Sequence, residues 1–189
     1  MELLRERILK DGQIYPGNIL KVDNFLNHQI DPELILAIGR EFEKIFNNLN
    51  INKILTVESS GIAPAFAAAI ELKIPLVIAK KSHAKNIAND LYTAQVYSYT
   101  RGADYILTVA KEFIIPGDKI LIIDDFLAMG SALEGLIKVC SDGNAEVAGA
   151  GIVIEKGFQG GGDKLRELGY NIKSLAIIEK MQDNKIILK

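Results

Sequence analysis

Two adjacent carboxylates, Asp124 and Asp125, stand directly after the run Lys119-Ile-Leu-Ile-Ile123 and are followed by the small residues Ala128-Met129-Gly130-Ser131-Ala132. The run follows a Pro116-Gly117-Asp118 turn and reads as a strand buried on both faces, ending where the carboxylates begin. The small residues open an apolar helical pattern. A strand, a short loop and a helix N-terminus form a phosphate cradle, because the first helical N–H groups lack partners and the helix dipole favours an anion. The carboxylates would repel that phosphate. They must therefore face something hydroxylated, such as a ribose, or a bridging metal ion.

A second loop of this kind, Glu58-Ser59-Ser60-Gly61-Ile62, follows the apolar stretch Lys53-Ile-Leu-Thr-Val57. Ser59, Ser60 and Gly61 let the backbone approach an anion closely and add hydroxyl donors. Cations lie at two further strand ends. Lys80, Lys81, His83 and Lys85 cluster after Pro75-Leu-Val-Ile-Ala79, and Lys156 closes the apolar stretch Glu146 to Glu155. Lys81 is a candidate for an anion contact, and Lys156 sits on the side where open parallel sheets bind ligands. His28 and His83 lack acidic companions at useful spacing, so no protein-built metal cage is expected.

Positioning these groups requires a sheet with helices. Residues 2 to 11 form a short amphipathic helix ended by Gly12, and residues 13 to 30 have no sustained period and suggest a small appended lobe. Asp31-Pro32 supplies an N-cap and a first-turn proline for a long helix with Leu34, Ile38, Phe42, Ile45, Phe46 and Leu49 on one face. Strand 53 to 57, helix 62 to 72 and strand 75 to 79 then follow, an order that implies a parallel sheet. Residues 93 to 100 and 105 to 110 read as a hairpin joined by Arg101-Gly102-Ala103-Asp104, placed as a mobile cover over the site. Gly160-Gly161-Gly162 reads as a flexible loop, Asp163 as the cap of a short helix, and residues 172 to 178 and 185 to 188 as the last strands. The expectation is an α/β chain with a central, mainly parallel sheet flanked by helices. It forms a single domain over 1 to 189, with about 1 to 30 in a small hood and about 80 to 111 in a flexible loop and hairpin.

The Asp124-Asp125 stretch with its loop resembles the phosphoribosyl-pyrophosphate signature of the type I phosphoribosyltransferases, and Glu58-Ser-Ser-Gly-Ile62 resembles the pyrophosphate loop of that family. The resemblance implies that family's fold and a pentosyl transfer. It makes Asp124 and Asp125 the catalytic pair that grips the ribose 2′- and 3′-hydroxyls, and Ala128, Met129, Gly130, Ser131 and Ala132 the 5′-phosphate loop. Ser59, Ser60, Gly61 and Lys81 take the pyrophosphate, and magnesium is held mainly by substrate and water. The family's loop usually carries Thr where Met129 and Ala132 stand, so two hydroxyls are missing and Ser131 restores one.

The segments Leu20 to Pro32, Glu58 to Pro64, Ile122 to Ala128 and Gly151 to Lys156 are similar to members of the family that act on xanthine in purine salvage. By that resemblance Leu20, Asn27 and Lys156 contact the base and the protein is a homodimer. The chemistry agrees in part. An ammonium only donates, so Lys156 favours a 6-oxo over a 6-amino ring, and the Asn27 amide can donate to an oxygen at position 2 provided it lies over the site. Relatives acting on 6-oxopurines often carry an aspartate at the position of Ala128 that serves as base. None is assigned here, because a bound 6-oxopurine can lose its proton to water or react as the anion.

Adenine or hypoxanthine-guanine acceptors stay open as alternatives, as does a non-catalytic sensor of phosphoribosyl pyrophosphate. Sensors of that kind add an N-terminal DNA-binding domain, for which the early helices are expected to leave no room. With 189 residues, 49% hydrophobic composition and a net charge of −2, the chain can bury one substantial core and has no basic excess for nucleic acid. The single cysteine, Cys140, falls on the apolar face of the helix after the signature and excludes an internal disulfide. The charged N-terminus is unlike a signal peptide, and no run is long enough for a membrane span. A cytoplasmic protein without membrane or nucleic-acid partners is expected.

Overall fold

In the computed structural model, which describes residues 1–82, 90–98, 102–182 and 185–189, eight strands form one sheet and two form another. The chain begins with α1 (Glu2–Asp11), the two-stranded antiparallel pair β1 (Gln13–Tyr15) and β2 (Ile19–Lys21), and a wide helical turn, Asp23–Asn27. Next comes α2 (Pro32–Phe46), where the Asp31 side chain accepts the Leu34 N–H at 3.2 Å and Pro32 opens the first turn. The core alternation follows: β3 (Lys53–Val57), α3 (Ile62–Leu72) and β4 (Leu76–Ser82). Then come the hairpin β5 (Leu91–Ser98) and β6 (Ala103–Ala110), and β7 (Lys119–Leu127) with α4 (Ser131–Asp142). β8 (Glu146–Lys156), α5 (Gly161–Glu167), β9 (Ile172–Gln182) and β10 (Lys185–Leu188) complete the chain.

The large sheet has the order β10-β9-β8-β7-β3-β4-β6-β5. Strands β4, β3, β7, β8 and β9 are parallel, while β10 and the β5–β6 hairpin pair antiparallel at the two edges. The strand side chains alternate between two cores, as the pleat requires. Leu121 and Ile123 join α1, α2 and α3 in one buried cluster; Ile120 and Ile122 join α4 and α5 in the other. From β3 the chain crosses through α3 to β4 on one side, and from β7 through α4 to β8 on the other. Ligands bind α/β sheets in the crevice at such a reversal, outside the carboxyl ends of the strands. Among the described residues, no helix is long and apolar enough to cross a membrane.

Several local expectations change. β7 runs on through Asp124 and Asp125 to Leu127, because β8 continues to pair with it at Phe126 and Leu127. Lys80 and Lys81 lie inside β4, held by pairing with Thr108 and Leu107 of β6, and Ala103 and Asp104 belong to β6 rather than to the connection. His83, Lys85, Tyr99, Thr100 and Arg101 lie outside the described residues. Asp163 does not cap α5: Gly160, with φ +75°, holds that position, and Asp163 instead accepts from Arg166 at 3.1 Å. Gly161 and Gly162 are buried helical residues, not a loop.

Candidate active site

Both cradles open at the carboxyl edge of neighbouring strands. After β3, residues 58 to 61 turn into α3, and after β7, residues 128 to 130 turn into α4. The N-terminus of α2 has a side-chain cap, but neither α3 nor α4 does; glycines, Gly61 and Gly130, precede both. The first amides of α4 are thus left for an anion, whereas in α3 the Ile62 N–H already donates to the Ser59 carbonyl at 3.2 Å and Pro64 has no N–H, so that Ala63 supplies the first amide there. Gly130 adopts φ +96°, a conformation that side chains rarely take. Gly61 is required for space, since a Cβ there would lie 2.5 Å from Thr56 Oγ1 and 3.1 Å from Asp124 Oδ1.

Asp124 is buried at 5% exposure, whereas Asp125 is half-buried, and the Asp125 N–H donates to Asp124 Oδ1 at 3.0 Å. Burial pushes the Asp124 carboxyl well above the usual carboxylate range, and the charge of Asp125 adds to the effect. Burial also raises Asp125. Two adjacent carboxyls offer acceptors to two vicinal hydroxyls. Lys81 contributes positive charge to both carboxyls, and its ammonium lies 5.4 Å from the centre of the Tyr105 ring.

Glu58, which begins the first loop, ties that loop to β4. Its Oε1 accepts the Lys81 N–H at 2.6 Å and its Oε2 lies 3.3 Å from Lys80 Nζ. The Lys81 amide, helped by the Lys80 ammonium, holds the Glu58 carboxyl below its ordinary range despite partial burial. Ser59 is exposed and Ser60 half-buried, while the buried Thr56 hydroxyl beneath Gly61 has no hydrogen-bond partner among the described residues. Ala128 to Ala132 line a cleft of about 140 Å³ whose opposite wall is Tyr97 and Tyr105 of the hairpin. Met129 is 42% exposed.

The three residues assigned to the base lie apart in sequence, and the structure brings the small sheet to Lys156. Lys156 ends β8, its Nζ donates to the Asn18 carbonyl at 3.0 Å, and it lies 5.6 Å from the centre of the Phe126 ring. Phe126 directly follows the carboxylate pair, so the lysine stands beside the crevice. Burial lowers the Lys156 pKa. Leu20 is buried in the same core as α1 and α2, and the Asn27 side-chain oxygen is buried without a hydrogen-bond partner among the described residues.

Sequence reasoning missed Thr56, the two tyrosines, Phe126 and the role of Glu58. Glu58 alone carried a signal, as a charged residue at a strand end. Among the described residues, no group of three or more His, Cys, Asp or Glu is placed to hold a metal ion.

Comparison with known proteins agrees with this geometry. Residues 24–182 match the phosphoribosyl transferase domain family. The chain is 50% identical over 189 residues to a xanthine phosphoribosyltransferase of Finegoldia magna, covering 100% of both chains. It is 48% identical over 186 residues to the enzyme of that name from Ligilactobacillus salivarius, covering 98% of this chain and 97% of the other. Among solved structures, an adenine phosphoribosyltransferase from Trypanosoma brucei superposes with a TM-score of 0.79 at 20% identity, covering 96% of this chain and 82% of that one. One from Rhodothermus marinus gives 0.77 at 20% identity, covering 94% and 100%. The structural neighbours establish the type I fold, and the sequence relatives go further: the chain belongs to the phosphoribosyltransferase family, alongside the xanthine phosphoribosyltransferases.

Proposed function

We propose that this enzyme transfers the 5-phosphoribosyl group of phosphoribosyl pyrophosphate to xanthine, forming xanthosine 5′-monophosphate and pyrophosphate in purine salvage. The observation that carries the reading is the Asp124-Asp125 pair at the end of β7, set between two helix N-termini without side-chain caps. Residues 128 to 132 hold the 5′-phosphate, Ser59, Ser60, Gly61 and Lys81 hold the pyrophosphate, and the carboxyl pair holds the ribose hydroxyls between them. The C1′–oxygen bond to pyrophosphate breaks, a ring nitrogen of the base bonds to C1′, and the base proton passes to solvent. Positive charge that develops on the ribose is stabilised by Asp124 and Asp125, prepositioned in a site of low dielectric.

The donor set fits a magnesium ion that arrives with its substrate, since the two carboxyls are too few for a protein cage and magnesium keeps water and phosphate oxygens. When bound, the ion neutralises charge on the pyrophosphate leaving group. Lys156 donates to the 6-oxo group, Asn27 donates to the 2-oxo group through its amide, and Leu20 packs on the base. The small sheet and the helical turn after it act as a hood that brings Leu20 and Asn27 to the base, and the β5–β6 hairpin covers the phosphate end. A homodimer working in the cytoplasm completes the reading. Exposed Phe66 and Ile70, one turn apart on α3, support the dimer, and the free Cys140 is compatible with a reducing compartment.

The test supplies purified protein with magnesium, phosphoribosyl pyrophosphate and either xanthine, guanine, hypoxanthine or adenine, and follows nucleotide formation. Xanthine is expected to give the highest kcat/KM. Preference for adenine would refute the assignment of Lys156, and binding of phosphoribosyl pyrophosphate without conversion of any base would favour a sensor.

A further inference from the structure

Gly161 and Gly162 open α5, outside both cradles, yet they touch the loop at 128 to 130 and the side chain of Glu155, the residue before Lys156. A Cβ on Gly161 would run into the Ala128 carbonyl and the Met129 carbonyl carbon and would stand 2.7 Å from the Gly130 nitrogen. These are backbone atoms of the 5′-phosphate loop and cannot swing aside. Leu165, one turn along α5, reaches the same loop, 3.2 Å from where a Cβ on Gly130 would stand. On Gly162, a Cβ would stand 2.6 Å from the Glu155 carboxyl carbon and 2.9 Å from Arg166 Nη1.

Glu155 directly precedes Lys156 in β8 and is 1% exposed. Arg166 of α5 holds it with both terminal nitrogens, Nη1 to Oε1 at 2.9 Å and Nη2 to Oε2 at 2.5 Å, and the Ser174 hydroxyl of β9 donates to Oε2. One short helix therefore contacts the phosphate loop through Gly161 and the residue before the base-binding lysine through Gly162 and Arg166.

We propose that α5 is a brace that sets the spacing between the 5′-phosphate loop and Lys156, with Gly161, Gly162, Glu155 and Arg166 as positioning residues. The inference rests on the assignment of the 5′-phosphate and base ends given above. Transfer joins a base nitrogen to C1′, so the two ends of the bound pair must be held in register, and small displacements are costly in rate. Absence of both side chains lets the helix approach the two sites at once. Alanine at either position separates the effects.

The experiment compares Gly161→Ala and Gly162→Ala by steady-state kinetics in both substrates, by calorimetric titration of phosphoribosyl pyrophosphate without base, and by thermal melting. Gly161→Ala is expected to raise KM for phosphoribosyl pyrophosphate about 10-fold and weaken its binding, with KM for the base within about 2-fold. Gly162→Ala is expected to do the reverse, raising KM for the base about 10-fold and leaving phosphoribosyl pyrophosphate binding within about 2-fold. Gly149→Ala, near the opposite end of β8 and pressing on the Phe46 ring, controls for general destabilisation. It should lower the melting temperature with neither KM changed.

Glycine variants that lose stability as the control does, with an unchanged ratio of the two KM values, would overturn the brace. If the glycine variants do not fold, Glu155→Gln carries the test. It keeps the shape, removes the charge and one of the two bonds to Arg166, and should raise KM for the base only; an unchanged value would equally overturn the proposal. Base kinetics use whichever purine the wild type prefers, so a preference other than xanthine refutes the proposed function and leaves the split between the glycine variants to be judged alone. Calorimetry reads the phosphate arm even without turnover.

Discussion

Replacing Arg166 by Met should expose how strongly the Glu155 carboxylate depends on its guanidinium. Glu155 is 1% exposed and accepts from Arg166 through both oxygens, with Ser174 as its further donor. Removing one partner of a buried pair leaves an uncompensated charge, at a cost of about 3–5 kcal/mol. The Arg166 side chain is 30% exposed, so water reaches the vacated space, and Ser174 still donates. Both facts place the loss near the lower end, about 3 kcal/mol. In a chain of 189 residues, each kcal/mol moves the midpoint by about 2–4 °C, so the melting temperature should fall by about 6–12 °C.

The pH dependence adds a sign. Although burial pushes Glu155 up, Arg166 and Ser174 hold its carboxyl below the ordinary range in the folded protein. Its contribution is therefore present above the unfolded-state pKa and is lost as pH falls through the folded value. Without Arg166, burial raises the folded pKa, and the penalty on the ionised form is relieved as pH falls. The gap in melting temperature between wild type and Arg166→Met should accordingly narrow from about pH 8 to about pH 5, read by circular dichroism. A midpoint within about 2 °C of wild type, or a gap that widens on acidification, would refute the reasoning.

Other perturbations address the crevice. Asp125→Asn removes a carboxyl of the ribose pair and should lower kcat/KM for phosphoribosyl pyrophosphate by about 100-fold or more at nearly unchanged stability; unchanged kinetics would count against the clamp. Lys156→Ala should raise KM for the base by about 10-fold and spare phosphoribosyl pyrophosphate binding, while also losing the bond to the Asn18 carbonyl. A variant that used every base as well as the wild type would remove the lysine from the site. Burial pushes the Cys140 thiol up to about 12. A thiol reagent should therefore leave the native protein unlabelled at mildly alkaline pH and label it stoichiometrically once unfolded, and rapid native labelling would contradict its burial.

What local chemistry decides could be read directly from the chain. The Asp31-Pro32 start of α2, β3 at Lys53–Val57 and α3 at Ile62–Leu72 lie where capping, periodicity and apolar runs put them, because each signal acts within a few residues. The carboxylate pair and the two small-residue loops were legible for the same reason: each is a short run of distinctive residues at or just before the passage from a strand to a helix. Pairing between distant strands decided the remainder. β7 extends through Asp125 because β8 offers partners, and Lys80 and Lys81 are strand residues because β6 pairs with them. No local pattern marked Gly161 and Gly162 as buried against the backbone of residues 128 to 130 and Glu155, since a glycine run looks the same whether it is open to solvent or pressed on another backbone. The chain by itself determined the chemical groups and the elements that carry them. Only tertiary structure decided that the strand order reverses between β3 and β7, which brings the loops at 58 to 61 and 128 to 130 to one crevice, and that Asn18 reaches Lys156 from 138 residues away. Those contacts join segments far apart in sequence, and their energy comes from packing that no short window contains.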